Sequence, residues 1–232
     1  VEASLILAGS ERAIQEAPSA SRSRVDSFAD TVKRQERVLE DYAKHEGVWF
    51  DQGHFPNRLY LSRGGEALVY QKDEKRVAKI VDPRHIDKSM TPQKFLDNRI
   101  SLFNHLFPES HYELMGFMRD SDGKFRVVVT QPLIQGEKIK TQADVDAAMQ
   151  TAGLERSGRD SYSNALYQVH DMHVGNVLKD ANGTVYVIDA VPKMASDELY
   201  QPFGVRGSDS TLRSVSDEQP DTALRKVRDT ES

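Results

Sequence analysis

Short apolar runs and polar turns alternate along the middle of the chain, and the apolar spacing switches between two and about 3.6 at identifiable points. Ala67-Leu68-Val69-Tyr70 and Arg76-Val77-Ala78-Lys79-Ile80-Val81 flank the polar stretch Lys72-Asp73-Glu74-Lys75, which predicts a hairpin. From 92 to 107 the spacing becomes helical: Leu96, Ile100, Phe103 and Phe107 share one face, with Thr91 as cap and Pro92 in the first turn. Strands follow at 112–118 and 125–130 around Asp120-Ser121-Asp122-Gly123. A second helix is expected over 142–152, capped by Thr141 with Asp144 three residues on. A third hairpin is expected over 176–189, turning at Ala181-Asn182-Gly183. Upstream, Phe28, Val32, Leu39 and Tyr42 form an amphipathic helical stripe. Hairpins interleaved with a few helices predict an α+β fold.

The ends read differently. Ala17-Pro18-Ser19-Ala20-Ser21-Arg22-Ser23-Arg24 is too small and polar to order itself, and from Ser196 onward large apolar residues are sparse. The expected organisation is a flexible segment over 1–24, a flanking helix within 25–52, a folded module from 53 to 195 and a mobile tail over 196–232 with a short helix near Leu224. A first residue of Val rather than Met fits an excerpt of a longer chain.

Charge and composition narrow the function. A formal charge of −5 is poorly suited to gripping nucleic acid, which needs clustered cations to displace counterions. The absence of cysteine excludes disulfides and thiolate metal sites. No apolar run approaches the roughly 20 residues of a membrane span, and Leu5-Ile6-Leu7-Ala8 is too short for the core of a signal peptide. The expectation is a cytoplasmic protein with no nucleic-acid or membrane partner.

The stretch that carries chemistry is His170-Asp171-Met172-His173-Val174-Gly175-Asn176, with Asp189 at the far end of the third hairpin. An Asp, an Asn five positions later and a second Asp thirteen beyond that bring phosphate- and metal-handling groups together. Three earlier segments lie at compatible distances. Gly64-Gly65-Glu66-Ala67 is a turn whose backbone N–H groups can approach phosphate oxygens. Val77-Ala78-Lys79-Ile80 offers a lysine on a strand. Val129-Thr130-Gln131-Pro132-Leu133 is a strand running into a linker.

On these motifs the chain resembles the protein-kinase-like superfamily. The short lower part, the Gly-Gly-Glu opening and the Asp-Met-His-Val-Gly-Asn box look like the kinase domain found in polyvalent proteins of phages and conjugative elements, over roughly residues 53–192. The resemblance implies a two-lobed fold, with an N-lobe over 53–136 and a reduced C-lobe over 137–195. It implies ATP and Mg2+ as cofactors and transfer of the γ-phosphoryl group to a hydroxyl. By resemblance Asp171 is the base, Lys79 meets the phosphates, Asn176 and Asp189 hold magnesium, and His173 contacts the transferred phosphate. Gly64 and Gly65 cover the phosphates, Val69, Ala78, Leu178 and Ile188 enclose adenine, and the Gln131 carbonyl and Leu133 amide bind its edge.

Several departures come with the resemblance. His170 directly precedes the base, Ala190-Val191 follows Asp189, and no Glu lies between 92 and 107 to pair with Lys79, leaving Asp97 as the nearest acid. The acceptor stays open between a protein and a small molecule, the latter favoured by His173. A nucleotide-binding or nucleotide-free pseudokinase, serving as a binding module of a mobile-element protein, is the alternative outside enzymes.

Overall fold

The structure, a computed structural model, describes residues 2–17, 27–85 and 87–196. Its central feature is a six-stranded sheet in the order β1-β5-β6-β4-β3-β2. The strands are β1 (Trp49–Phe50), β2 (Tyr60–Arg63), β3 (Ala67–Gln71), β4 (Arg76–Val81), β5 (Glu113–Arg119) and β6 (Phe125–Pro132). All neighbours are antiparallel except β1 and β5. The middle strands β4 and β6 are covered on both faces, which is why Val77 to Val81 and Val127 to Val129 read as nearly continuous apolar runs. Val69, Lys79 and Val129 lie in one cross-strand row and Tyr70, Ala78 and Thr130 in the next, on opposite faces. The second face is closed by Phe50, Phe55 and Leu59 packing on Tyr70, Ile80, Met118 and Val128.

Between β4 and β5 runs a helical rod: α3 (Pro92–Lys94), a π-helical stretch over Phe95–Leu102, and α4 (Phe103–Leu106). The cap is as anticipated, with Thr91 Oγ1 accepting from the Lys94 N–H at 3.2 Å. The expected apolar face, Leu96, Ile100, Phe103 and Phe107, is buried, but the opposite side is not solvated. Every side chain from Phe95 to Ile100 is buried, including Asp97, Asn98 and Arg99, because the rod lies between the sheet, the N-terminal helices and the last strand. Wider π turns rotate polar side chains into positions that a 3.6-residue count assigns to solvent.

Residues expected to be flexible at the N-terminus instead form α1 (Ala3–Glu16), which packs on α2 (Phe28–His45). Its apolar stripe is weak: Leu5 is exposed, and the buried positions are Ile6, Ile14, the small Gly9 and Ser10, and the charged Glu11. The helices approach so closely that a Cβ on Gly9 would lie 2.1 Å from the Tyr42 hydroxyl. On α2, Val32, Leu39 and Ala43 are buried while Phe28 faces solvent. The expected linker over 18–26 and the tail over 197–232, including its helix near Leu224, lie outside the described residues.

The remaining elements are β7 (Glu137–Lys138), α5 (Gln142–Thr151), β8 (Glu155–Gly158), β9 (Ser161–Ser163), β10 (Tyr167–His170), β11 (Val177–Lys179), β12 (Val185–Val187) and β13 (Val191–Met194). They form a three-stranded sheet β12-β11-β7 and a four-stranded sheet β13-β10-β9-β8. The third hairpin is β11–β12, and α5 carries the anticipated cap, Thr141 Oγ1 accepting from the Asp144 N–H at 3.2 Å. The four-stranded sheet had no sequence signal, because all of β8 is exposed and, of β9 and β10, Tyr162 and Val169 are buried and Tyr167 packs partly against the core. Helix and sheet together make the chain α+β. Among the described residues no helix is long and apolar enough to cross a membrane.

Candidate functional site

Lys79 is carried inward by β4 and is almost fully buried. Its ammonium donates to the Ile188 carbonyl at 2.9 Å and to the Tyr112 hydroxyl at 3.2 Å, and lies 5.1 Å from the centre of the Tyr112 ring. Burial lowers its pKa, opposed by the negative charges of Asp189 and Glu66. The side chains around it leave a void of only about 10 Å³.

The hairpin and the preceding loop bring the polar motif to the same point. The Ile188 N–H donates to the Asn176 carbonyl at 2.9 Å, extending the β11–β12 pairing so that Asp189 stands one residue beyond Asn176's partner. Between β10 and β11 the chain turns at Asp171, whose φ of 61° is the left-handed conformation that side chains other than Gly, Asn and Asp avoid. Such strain persists only where the surroundings enforce it. Here the Asn176 amide donates to the Asp171 carbonyl at 2.8 Å and to its carboxylate at 3.1 Å. His173 is turned by the Gly175 N–H, which donates to its Nδ1 at 3.0 Å, and its Nε2 lies 3.7 Å from the Asp171 carboxylate.

Arg99, from the π-helical stretch, joins this point from the opposite side. One guanidinium nitrogen pairs with Glu66 of the glycine turn and, at 3.1 Å, with Asp189. Arg99 is 5% exposed and its Nε has no partner. Burial raises the Glu66 carboxyl to about 7, the Arg99 charge opposing and the Asp189 charge adding to the effect. The inner cluster therefore holds the cations Lys79 and Arg99 against the carboxylates Glu66 and Asp189, a balance that makes burying all of them tolerable.

A lysine one peptide away from a carboxylate, with an Asn–Asp pair in the adjoining loop, is the geometry of the site, and a comparison with family models finds a match. The model described as Serine/Threonine/Tyrosine Kinase found in polyvalent proteins matches residues 32–196. The chain belongs to this kinase family. No curated protein and no solved structure matches it.

In this polyvalent-protein kinase domain the sequence-derived residues fall into distinct groups. Lys79, Asn176 and Asp189 converge through Ile188, while Asp171 and His173 stand together at the half-exposed mouth of the loop. Val69 shares the Lys79 face, but Ala78 does not: alternation turns it to the opposite face in the row of Tyr70 and Thr130, so Val77 is the small-residue neighbour on the lysine side. Leu178 and Ile188 are half-buried on the hairpin, beside buried Val177 and Val187. Gly64 and Gly65 are exposed with ordinary φ, and His85 lies against Gly65.

Strand alternation also redirects the linker. The Leu133 N–H donates to the Lys75 carbonyl at 2.7 Å, continuing the row of Val77 and Gln131, so the backbone of Gln131 and Leu133 faces β4. The groups turned the other way are those of Pro132 and Ile134. The Gln131 side chain is buried and donates to the Ser110 carbonyl at 2.7 Å. Asp97 is fully buried rather than solvated, and its charge acts on Glu11 of α1, while the hydrogen bonds of Lys79 go to Tyr112 and Ile188. Glu66, Arg99 and Tyr112 were not singled out from the sequence. Only Glu66 had a signal, its place directly after the glycines.

Proposed function

We propose that the chain is an ATP- and magnesium-dependent phosphotransferase with a two-lobed kinase-like fold, acting on a hydroxyl of a protein. The observation that carries this reading is the 2.9 Å bond from Lys79 to the carbonyl preceding Asp189, beside the Asn176–Asp171 pair. The sheet order β1-β5-β6-β4-β3-β2 with a helix between β4 and β5 supports the N-lobe assignment. The acceptor class follows the family description, Ser, Thr or Tyr.

The donor set fits magnesium. Asn176 spends its N–H2 on Asp171, which leaves its carbonyl oxygen to join the Asp189 carboxylate as hard oxygen donors. Among the described residues no three His, Cys, Asp or Glu side chains form a metal group, so phosphate oxygens and water would have to complete the shell. The metal supplies charge neutralisation at the phosphates. Lys79 and the glycine turn would orient the phosphates, Asp171 would take the proton of the acceptor hydroxyl, and Asp189, now paired with Arg99, would hold the metal together with Asn176.

Thermal-shift titration with ATP, with and without Mg2+, tests the reading. Ligand at 100 times its Kd stabilises the folded state by about 2.7 kcal/mol, a shift of a few degrees. Asp189→Asn is expected to lose the magnesium-dependent part, and Asp171→Asn, which tolerates the same φ, to keep nucleotide binding and lose turnover. No shift with ATP under either condition overturns the proposal in favour of a pseudokinase binding module. The observations favouring that second reading are the Arg99 pairing of Asp189 and the occupied Leu133 amide. Small-molecule phosphotransfer is favoured by half-exposed His173 beside Asp171.

A further inference from the structure

The hydrogen bonds of the Lys79 ammonium go to a phenol and a backbone carbonyl, not to a helix carboxylate. We propose that Tyr112 is a positioning residue for Lys79, taking the part that a helix carboxylate would otherwise play. This rests on the phosphotransferase reading for its catalytic meaning, though the placement of the lysine can be tested without it.

Three contacts form a closed triangle. Lys79 Nζ donates to Tyr112 Oη at 3.2 Å and to the Ile188 carbonyl at 2.9 Å, and Tyr112 Oη donates to that same carbonyl at 3.2 Å. The phenol thus uses its one hydrogen on the peptide before Asp189 and a lone pair on the lysine. The ring adds a cation–π contact, with Nζ 5.1 Å from its centre. The lysine and the carboxylate that follows Ile188 are consequently referenced to one carbonyl oxygen.

Tyr112 is itself fixed by the rod. The Asn104 side chain of α4 accepts from the Tyr112 N–H at 2.6 Å and donates to its carbonyl at 2.7 Å. The Tyr112 ring packs on Phe103 with centroids 4.6 Å apart. The helix therefore still governs the lysine, through a packed phenol rather than an ion pair.

Charge balance explains why a phenol suits this place. Lys79 and Arg99 already face Glu66 and Asp189, so a third carboxylate would leave an uncompensated buried charge. Burial, reinforced by the Asp189 charge, holds the Tyr112 hydroxyl well above its usual pKa, so it stays neutral and keeps its hydrogen.

Tyr112→Phe removes the hydroxyl and keeps the ring, the packing and the cation–π contact. In the full chain without nucleotide, the rate of Lys79 acylation by an amine-reactive ester, read by peptide mass spectrometry, is expected to rise several-fold, with surface lysines unchanged. In steady-state assays kcat/KM for ATP is expected to fall about tenfold or more, the loss of a hydrogen bond to a charged group. No further fall is expected when the change is made in Lys79→Met. An unchanged acylation rate overturns the proposal, as does a kcat/KM loss that adds in full to that of Lys79→Met. A wild-type chain without nucleotide-dependent activity removes the phosphotransferase reading instead, and the acylation rate still decides whether Tyr112 places the lysine.

Discussion

Arg99→Met is the sharpest test of the buried charge cluster. The substitution keeps much of the aliphatic volume but removes the cation between Glu66 and Asp189, whose side chains are 11% and 24% exposed. Removing one partner of a buried ion pair typically costs about 3–5 kcal/mol, since a charge is left uncompensated. Here the loss has a limit. Glu66 already titrates at about 7, and without Arg99 its pKa rises further, so it can escape by taking up a proton. A group whose pKa is raised by folding contributes stability below its unfolded value and loses that contribution as pH rises through the folded value. Urea denaturation of Arg99→Met should therefore show a loss of about 3 kcal/mol above neutral pH that shrinks as the pH is lowered toward about 6. Adding Glu66→Gln should recover about 1 kcal/mol or more at the higher pH, by removing one of the repelling carboxylates. A loss under about 1 kcal/mol that does not vary with pH would mean that Arg99 does not balance these groups, and the reasoning fails.

Two other substitutions bear on the scaffold. Glu11 of α1 is raised from 4.5 to about 7, by burial first and then by the Asp97 charge, with an opposing bond from Ser101, so its stabilising contribution disappears as pH climbs from about 4.5 to about 7. Glu11→Gln should raise the melting temperature at neutral pH and flatten that part of the profile, and an unchanged slope argues against burial of the carboxyl. Gly116 has φ +149° and a Cβ there would lie 1.9 Å from the Val48 carbonyl oxygen, just before β1, at the register shift in the β5–β6 pairing. Gly116→Ala should cost about 3 kcal/mol or more in denaturant unfolding, and a near-neutral change would show that β1 is not held there.

Much of the site was legible because local rules govern it. The spacing from Asp171 to Asn176 and the Asn182-Gly183 turn fix a loop and hairpin whose pairing places Asp189 next to Asn176. The N-terminal sheet followed from its apolar runs, and the caps at Thr91 and Thr141 from side-chain chemistry. Less legible was anything that depends on which face a residue presents once packed. Ala78 was read as enclosing adenine together with Val69, yet Val69 lies in the row of Lys79 and Ala78, the next residue on the strand, points to the other face. Gln131 and Leu133 were read as facing the nucleotide, and the register with β4 turns them away. Polar β8 and the glycine-spaced α1 lacked the periodicity that announces an element.

The order of the amino acids by itself determined the α+β class, the motif at Asp171, Asn176 and Asp189, the strand lysine and the membership that those motifs suggested. The tertiary structure alone decided the surroundings: Arg99 between Glu66 and Asp189, Tyr112 beside Lys79, and Asp97 buried where its charge raises the Glu11 carboxyl. Motif and periodicity are local in the chain, whereas charge compensation is a property of a buried volume. Which cation faces which carboxylate there is set by helical phase and strand register across residues far apart in sequence.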